Sequence, residues 1–307
     1  MKKIVFMGTP EFSVPILEAL INAYDVVGVV TQPDRPAGRG GKICISPIKQ
    51  VALDHNIPVF QPEVIRKPEA IETLRAWGAD VYVVAAFGQI LPQALLDIPQ
   101  YGSINVHASI LPRWRGASPI HASILAGDTE TGVTIMKMDA GLDTGDMLSV
   151  AITPIAPDET AQTLHDKLSS LGAEILLDTL PLYFSGELQP QPQPEEGVTY
   201  APQIEKEQGV IDWTQSAVYI DRLVRGFTPW PGTFTFWNGK QLKIHSGTVG
   251  TGSAEVGQVV ELDGKLAIGT GEGLYYPSEV QLEGKKRVSV TDFLRGYPQI
   301  VGERLGE

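Results

Sequence analysis

Asp80-Val81-Tyr82-Val83-Val84-Ala85-Ala86 decides the class of fold. A strand with one wet face alternates apolar and polar residues; this run is apolar at odd and even positions alike. It therefore reads as a strand buried on both faces, as in a parallel sheet covered by helices. Working outward, Lys3–Met7, Asp25–Thr31 and Ser103–His107 are short runs of the same kind. Between them, Ser46–Asn56 and Pro68–Trp77 carry helical spacing, with Pro47 and Pro68 suited to first turns. A helix after the first strand begins at Thr9 or Ser13, because Pro15 would disturb a helix interior. Gly132–Met138 and Met147–Ile152 add strands, and Asp158–Phe184 gives a long helical pattern interrupted by Gly172 and Pro181. Strand and helix alternate, which predicts an α/β domain around a mostly parallel sheet.

Gly186 to Gln208 breaks this rhythm. Pro190, Pro192 and Pro194 alternate with glutamines, a pattern of extended, semi-stiff connector. The predicted domains are thus 1–186 and 208–307, with a linker over 187–207. In the second, a helical pattern at Thr214–Val224 precedes runs at Thr233–Trp237, Gln241–Thr248, Gln258–Leu262, Lys265–Gly269 and Leu274–Leu282. Glycines punctuate them, as in a small OB-like antiparallel β-barrel.

With 307 residues the chain can build both cores, and 43% hydrophobic with 20% charged residues is ordinary for a globular protein. The longest clean apolar run, Val81 to Phe87, is far below the ~20 residues of a membrane helix. Lys2 and Lys3 are followed only by Ile4–Met7 before Gly8-Thr9-Pro10, too short for a signal sequence. The expectation is a cytoplasmic, monomeric protein without membrane attachment. The single cysteine, Cys44, excludes an internal disulfide and any multi-cysteine metal site, and reads as a small apolar filler. A formal net charge of −12 disfavours indiscriminate binding to polyanions. Any RNA contact must use local basic patches. The best candidate is 34–49, where Arg35, Arg39, Lys42 and Lys49 face one acid, Asp34, and Gly38, Gly40 and Gly41 make a loop able to follow phosphates. Composition alone leaves an ordinary solvated loop equally open.

Asn105 and His107 lie two apart at the end of a strand, so their side chains share a face while Val106 enters the packing. The carboxyl ends of strands are where open α/β sheets bind ligands. There an amide can donate to an oxyanion while an imidazole handles a proton. The next segment, Ala108–Gly116, is stiffened by Pro112 and Gly116, with Arg113 and Arg115 around Trp114. It suits a wall for a flat heterocycle, or simply a packed loop. Gly141-Leu142-Asp143-Thr144-Gly145-Asp146 supplies a carboxylate on a rigid turn, which can orient a histidine. No calcium-loop spacing of acids is present, and His55, His121, His165 and His245 lack paired ligand spacing, so no metal is expected. Gly8-Thr9-Pro10 is not a G-x-G-x-x-G turn, which argues against nicotinamide binding.

In this order, the Asn-x-His strand and the Leu-Asp-x-Gly loop resemble the folate-dependent formyltransferases. The likeness extends through Met7-Gly8-Thr9-Pro10-Glu11-Phe12, Thr31–Gly40, Leu111-Pro112-Arg113-Trp114-Arg115-Gly116, Ile211-Asp212-Trp213, Pro229-Trp230-Pro231 and Glu283-Gly284-Lys285-Lys286. The later motifs lie outside the catalytic domain that the wider family shares. They resemble the branch acting on methionine carried by initiator tRNA. The resemblance implies a Rossmann-like formyltransferase domain, and 10-formyltetrahydrofolate as donor, without metal. It implies Asn105, His107 and Asp143 as catalytic residues and Ser109, Ile110, Leu111 and Pro112 as folate-binding. It also implies tRNA contacts by Arg35, Arg39, Lys42 and Lys206, with the C-terminal barrel adding others from Arg222, Arg225, Lys240, Lys243, Lys285, Lys286 and Arg287. Two departures stand out: Gly41 precedes Lys42 where relatives often have two lysines, and Gln203 replaces a common lysine. A formyltransferase acting on a small-molecule amine, a folate-binding formyl hydrolase and a non-enzymatic RNA-binding module are the alternatives.

Overall fold

The computed structural model describes residues 1–37, 42–262 and 264–306, and divides into two compact units. The first comprises Met1–Pro119, Glu130–Pro154 and His165–Ala201. Its chain runs β1 (Lys3–Gly8), α1 (Val14–Ala23), β2 (Asp25–Val30), β3 (Arg35–Ala37), β4 (Lys42–Cys44), α2 (Pro47–Asp54), β5 (Val59–Phe60) and α3 (Pro68–Ala76). It continues with β6 (Val81–Ala85), α4 (Gln93–Leu96), β7 (Ser103–His107) and β8 (Arg115–Gly116), then, after α5 (Pro119–Ala126), which falls almost wholly in the second unit, with β9 (Glu130–Lys137), β10 (Met147–Pro154), most of α6 (Ala161–Ser185) and β11 (Tyr200–Ala201). The main sheet has the order β10-β9-β7-β6-β1-β2-β5. Strands β7, β6, β1, β2 and β5 are parallel, and β9 and β10 add antiparallel at one edge.

The apolar run that opened the sequence reading is β6, wholly buried between β1 and β7. Val5, Met7, Tyr82 and Val84 pack with Leu74 of α3 and Leu95 of α4 on one face. On the other, Val106 of β7 meets α6 so closely that a Cβ on Gly172 would stand 2.9 Å from its Cγ1. Gly172 is therefore a close-approach residue inside a helix, and α6 runs unbroken for 25 residues with Pro181 inside it. The expected interruption at Gly172 and Pro181 is absent: Gly172 serves the close approach of helix to sheet, and nothing in the structure explains why Pro181 is accommodated. Pro15 sits in the first turn of α1, after a turn of 3-10 helix at Glu11–Ser13, so the later of the two candidate starts is correct.

The second unit comprises Ile120–Thr129, Ile155–Leu164 and Pro202–Glu307. It holds α7 (Ala217–Gly226), β12 (Thr233–Trp237), β13 (Lys240–Gly250), β14 (Val259–Leu262), β15 (Lys265–Gly269), β16 (Leu274–Leu282), β17 (Val288–Ser289) and α8 (Val290–Gly296). Its sheet is antiparallel, in the order β12-β13-β16-β15-β14, with β17 on β16. Ile220, Leu223 and Val224 of α7 share a core with Ile244, Tyr275 and Val280 of the sheet. Register shifts between Ile244 and Gly247 let β13 bend, as an extra residue in one strand does.

Cys44 is exposed on β4 and is not the filler expected of it. Residues 187–201 also do more than connect. Gln191 exchanges backbone hydrogen bonds with Met147 at 2.8 Å each, and Tyr200–Ala201 pairs in parallel with Arg115–Gly116.

Candidate functional site

Strand β7 delivers Asn105 and His107 to the carboxyl rim of the sheet, beside the carboxyl end of β6. Alternation puts Val106 at 2% exposure on the opposite face. His107 is itself 5% exposed, so its ring meets protein rather than bulk water. Its Nε2 lies 3.0 Å from the carbonyl oxygen of Trp114. A carbonyl can only accept, so Nε2 carries hydrogen and donates to it. That leaves Nδ1 toward Asp143, whose Oδ2 is 3.7 Å away. Asp143 Oδ1 accepts from Asn105 Nδ2 at 3.4 Å, and Oδ2 accepts from the Gly116 amide at 2.8 Å. The fold thus brings Asn105, His107 and Asp143 together although Asp143 is far from the other two in sequence.

The backbone that achieves this is strained. Asp143 has φ 52° and Trp114 φ 60°, left-handed values that side-chain-bearing residues avoid. Each such residue costs about 1–3 kcal/mol, and such strain clusters at functional sites. Gly116, at φ 115°, lies so near Ala201 that a Cβ would stand 2.7 Å from its carbonyl oxygen. Thr199 supports the same turn: its hydroxyl accepts from Trp114 N at 2.9 Å and its carbonyl from Arg115 N at 2.9 Å.

Gln193, which sequence reasoning passed over, is tied into this site. Its Nε2 donates to the carbonyls of Asp143 at 2.7 Å and Gly145 at 2.8 Å. Its Oε1 accepts from Arg115 Nε at 3.1 Å and Nη2 at 2.7 Å. The one available signal was the Pro-Gln alternation itself: prolines hold the chain extended and supply no N–H, leaving the glutamine amides as the donors.

The segment Ser109-Ile110-Leu111-Pro112 follows β7 directly. Ser109 is fully buried and its hydroxyl donates to the Arg113 carbonyl at 2.6 Å. Thr134 Oγ1 donates to the Ser109 carbonyl and accepts from Leu111 N. Ser109 and Leu111 therefore build the loop from inside, while Ile110 and Pro112 are half-exposed. Arg113 stacks over the Trp114 ring with its guanidinium 4.3 Å from the centroid. Arg115, by contrast, is buried on Gln193.

The expected basic residues are placed unevenly. Arg35 is exposed on β3, which pairs with β4 as a two-stranded antiparallel hairpin. Arg39 and the side chain of Lys42 lie outside the described residues. Lys49, on α2, is bonded to Asp34, and that contact together with the Gln61 amide holds the Asp34 carboxyl below the usual carboxylate range. Lys206 is exposed in a turn of 3-10 helix, Lys206–Gly209. In the second unit, Arg225 is bonded to Asp221 and the Glu159 carbonyl, and Arg287 to Glu279. Lys240, Lys243, Lys285 and Lys286 make no ion pair among the described residues, which also contain no His/Cys/Asp/Glu cluster able to hold a metal.

The family described as Formyl transferase matches residues 1–180, and that described as Formyl transferase, C-terminal domain, matches residues 203–298. Methionyl-tRNA formyltransferase of Geobacter sulfurreducens is 50% identical over 99% of this chain and 97% of its own. Its namesake from Myxococcus xanthus is 49% identical over 98% of this chain and 97% of its own. Among solved structures, WlaRD, a sugar 3N-formyl transferase studied in the presence of dTDP and 5-N-formyl-THF, has the same fold. It superposes with a TM-score of 0.67 at 20% identity, over 93% of this chain and 99% of its own. HypX from Aquifex aeolicus in complex with tetrahydrofolic acid reaches a TM-score of 0.66 at 17% identity, over 99% of this chain and 48% of its own.

Proposed function

The chain belongs to the formyl transferase family, and from that membership we propose the transfer it performs: the formyl group of 10-formyltetrahydrofolate onto the α-amine of methionine carried by initiator tRNA. The observation that carries the choice of acceptor is end-to-end likeness to relatives named for that reaction, through a second unit as well as the first. A sugar formyl transferase shares the two-unit fold at only 20% identity, so it is the 50% identity, and not the presence of a second unit, that favours the tRNA-borne amine.

In this reading the neutral amine attacks the formyl carbon, and the tetrahedral intermediate collapses by breaking the bond from that carbon to the folate nitrogen, so that tetrahydrofolate leaves. Asn105 has a second amide hydrogen beyond the one directed at Asp143, and that hydrogen serves the developing oxyanion. One such donor contributes about 3 kcal/mol to the transition state. His107 and Asp143 handle the proton leaving the amine and the proton reaching the folate nitrogen. With Nε2 committed to the Trp114 carbonyl, the exchange runs through Nδ1, on the Asp143 side of the ring. Neither residue becomes covalently attached to the formyl group. The folate ring rests against Ile110 and Pro112, whose faces are half-exposed, while Ser109 and Leu111 hold that wall in shape. Arg35, Arg39, Lys42 and Lys206 meet the tRNA phosphates. The setting is the cytoplasm; no helix among the described residues is long and apolar enough to cross a membrane.

The test offers formyl-labelled 10-formyltetrahydrofolate with methionine-charged initiator tRNA, free methionine or uncharged tRNA. Label is expected on the charged tRNA alone. Release of labelled formate without any acceptor would instead identify a folate hydrolase.

A further inference from the structure

We propose that Gln193 is a positioning residue for the reaction, one that sets the place of the Asp143 carboxylate through the backbone of the loop bearing it. The inference rests on the reading that Asp143 acts in catalysis.

Gly141, Leu142 and Asp146 of this loop are exposed, and its turn at Asp143 is left-handed, a conformation Asp tolerates better than most residues but still at a cost. One end is fastened locally, where Asp139 accepts from the Gly141 amide at 3.0 Å and the Thr144 hydroxyl at 2.7 Å. The other end is fastened by Gln193, whose two amide hydrogens reach the Asp143 and Gly145 carbonyls on either side of Thr144. A primary amide has two donors, and here both are spent on one loop. Gly145 is simultaneously pressed onto the end of β9, where an added Cβ would stand 1.9 Å from the Lys137 carbonyl oxygen.

The amide has only one workable orientation. Arg115 directs Nε and Nη2 at Oε1, and a guanidinium can only donate. Flipping the amide would aim its hydrogens at the guanidinium and its oxygen at two carbonyl oxygens, turning every contact repulsive. Arg115 therefore fixes Gln193, Gln193 fixes the loop, and the loop fixes Asp143 against Gly116 N and His107. Prolines at 192 and 194 keep this stretch extended, so the side chain projects without a helix or strand to carry it.

Gln193→Glu is the informative substitution. A carboxylate still accepts from Arg115, so the segment stays anchored, but it cannot donate to the two carbonyls. The expected result is a fall in kcat of about tenfold to a hundredfold, the scale of a misplacement near 1 Å. KM for the folate donor and for charged tRNA should hold, while the melting temperature falls by a few degrees, because the second carboxylate oxygen now faces two carbonyl oxygens. In an Asp143→Ala background, adding Gln193→Glu should lower kcat no further, because a residue acting through Asp143 has nothing left to position. Wild-type kcat in Gln193→Glu overturns the proposal, as does a loss that recurs at full size in the Asp143→Ala background. If Asp143→Ala alone keeps wild-type turnover, the catalytic reading of Asp143 falls, and the positioning role falls with it.

Discussion

His107 sits between two acceptors, the Trp114 carbonyl on Nε2 and the Asp143 carboxylate facing Nδ1, and this makes its replacement easy to interpret. His107→Ala removes the imidazole proposed to carry the proton, while the following loop keeps its own hydrogen bonds through Ser109, Leu111 and Thr134. The expected loss is about 10²–10⁴-fold in kcat, the range of general acid–base catalysis. Asn105→Ala should cost about 10²–10³-fold, as for loss of an oxyanion donor. Steady-state kinetics with charged tRNA, alongside thermal melts, checks both; near-normal turnover in either variant removes that residue from the mechanism. Asn105 and His107 were legible in the sequence because two-residue spacing on a strand is a geometric statement in itself. Asp143 was legible only as a carboxylate on a glycine-flanked turn. Beyond the hint of the Pro-Gln alternation, the role of Gln193 was not legible, since it depends on Arg115 of β8 meeting the loop of Asp143 and Gly145.

Strand β7 can present its residues only if something holds its back, and α6 does so at Gly172. Gly172→Ala places a methyl 2.9 Å from Val106 Cγ1, with Ile16 and Val133 close behind. Overpacking of this sort typically costs about 1–3 kcal/mol. The variant should melt lower, and Val106→Ala added to it should restore part of the loss by vacating the contested space. If the double variant melts below both single ones, the clash is not the cause. A second element-level expectation concerns His245 on β13, whose pKa burial depresses although the Gln281 hydrogen bond acts the other way. A histidine depressed in the fold is protonated more readily in the unfolded chain. Its stabilising share is therefore complete above the ordinary value of about 6.5 and declines as pH falls through the lower, folded value. His245→Gln should lose less melting temperature on acidification than the parent does. The buried strands were legible because apolar residues, valine above all, occupy both faces of β1, β2 and β6. Short elements such as β5, α4 and α8 were missed, being two, four and seven residues long, below any periodic signal.

The whole molecule carries 36 acidic against 24 basic residues, a net charge of −12, yet its proposed acceptor is a polyanion. A field of that sign lowers affinity for RNA in general, so productive binding must come from a few cations that other side chains have not already neutralised. The structure sorts them. Lys49, Arg225 and Arg287 are spent on Asp34, Asp221 and Glu279, whereas Arg35 and Lys206 are exposed without an ion pair among the described residues. Each phosphate contact contributes about 0.9 to the slope of log affinity against log salt on duplex RNA-like charge densities, and less on single strands. Arg35→Ala and Lys206→Ala should therefore each raise KM for charged tRNA, leave KM for the folate donor unchanged, and flatten the salt dependence of kcat/KM by roughly one unit. Lys49→Ala with Asp34→Ala serves as the contrast: the two charges cancel each other, so removing both should barely change the slope. A wild-type salt slope in Arg35→Ala would mean that Arg35 does not meet phosphate, and the acceptor would then have to be held by Arg39, Lys42 and the cations of the second unit.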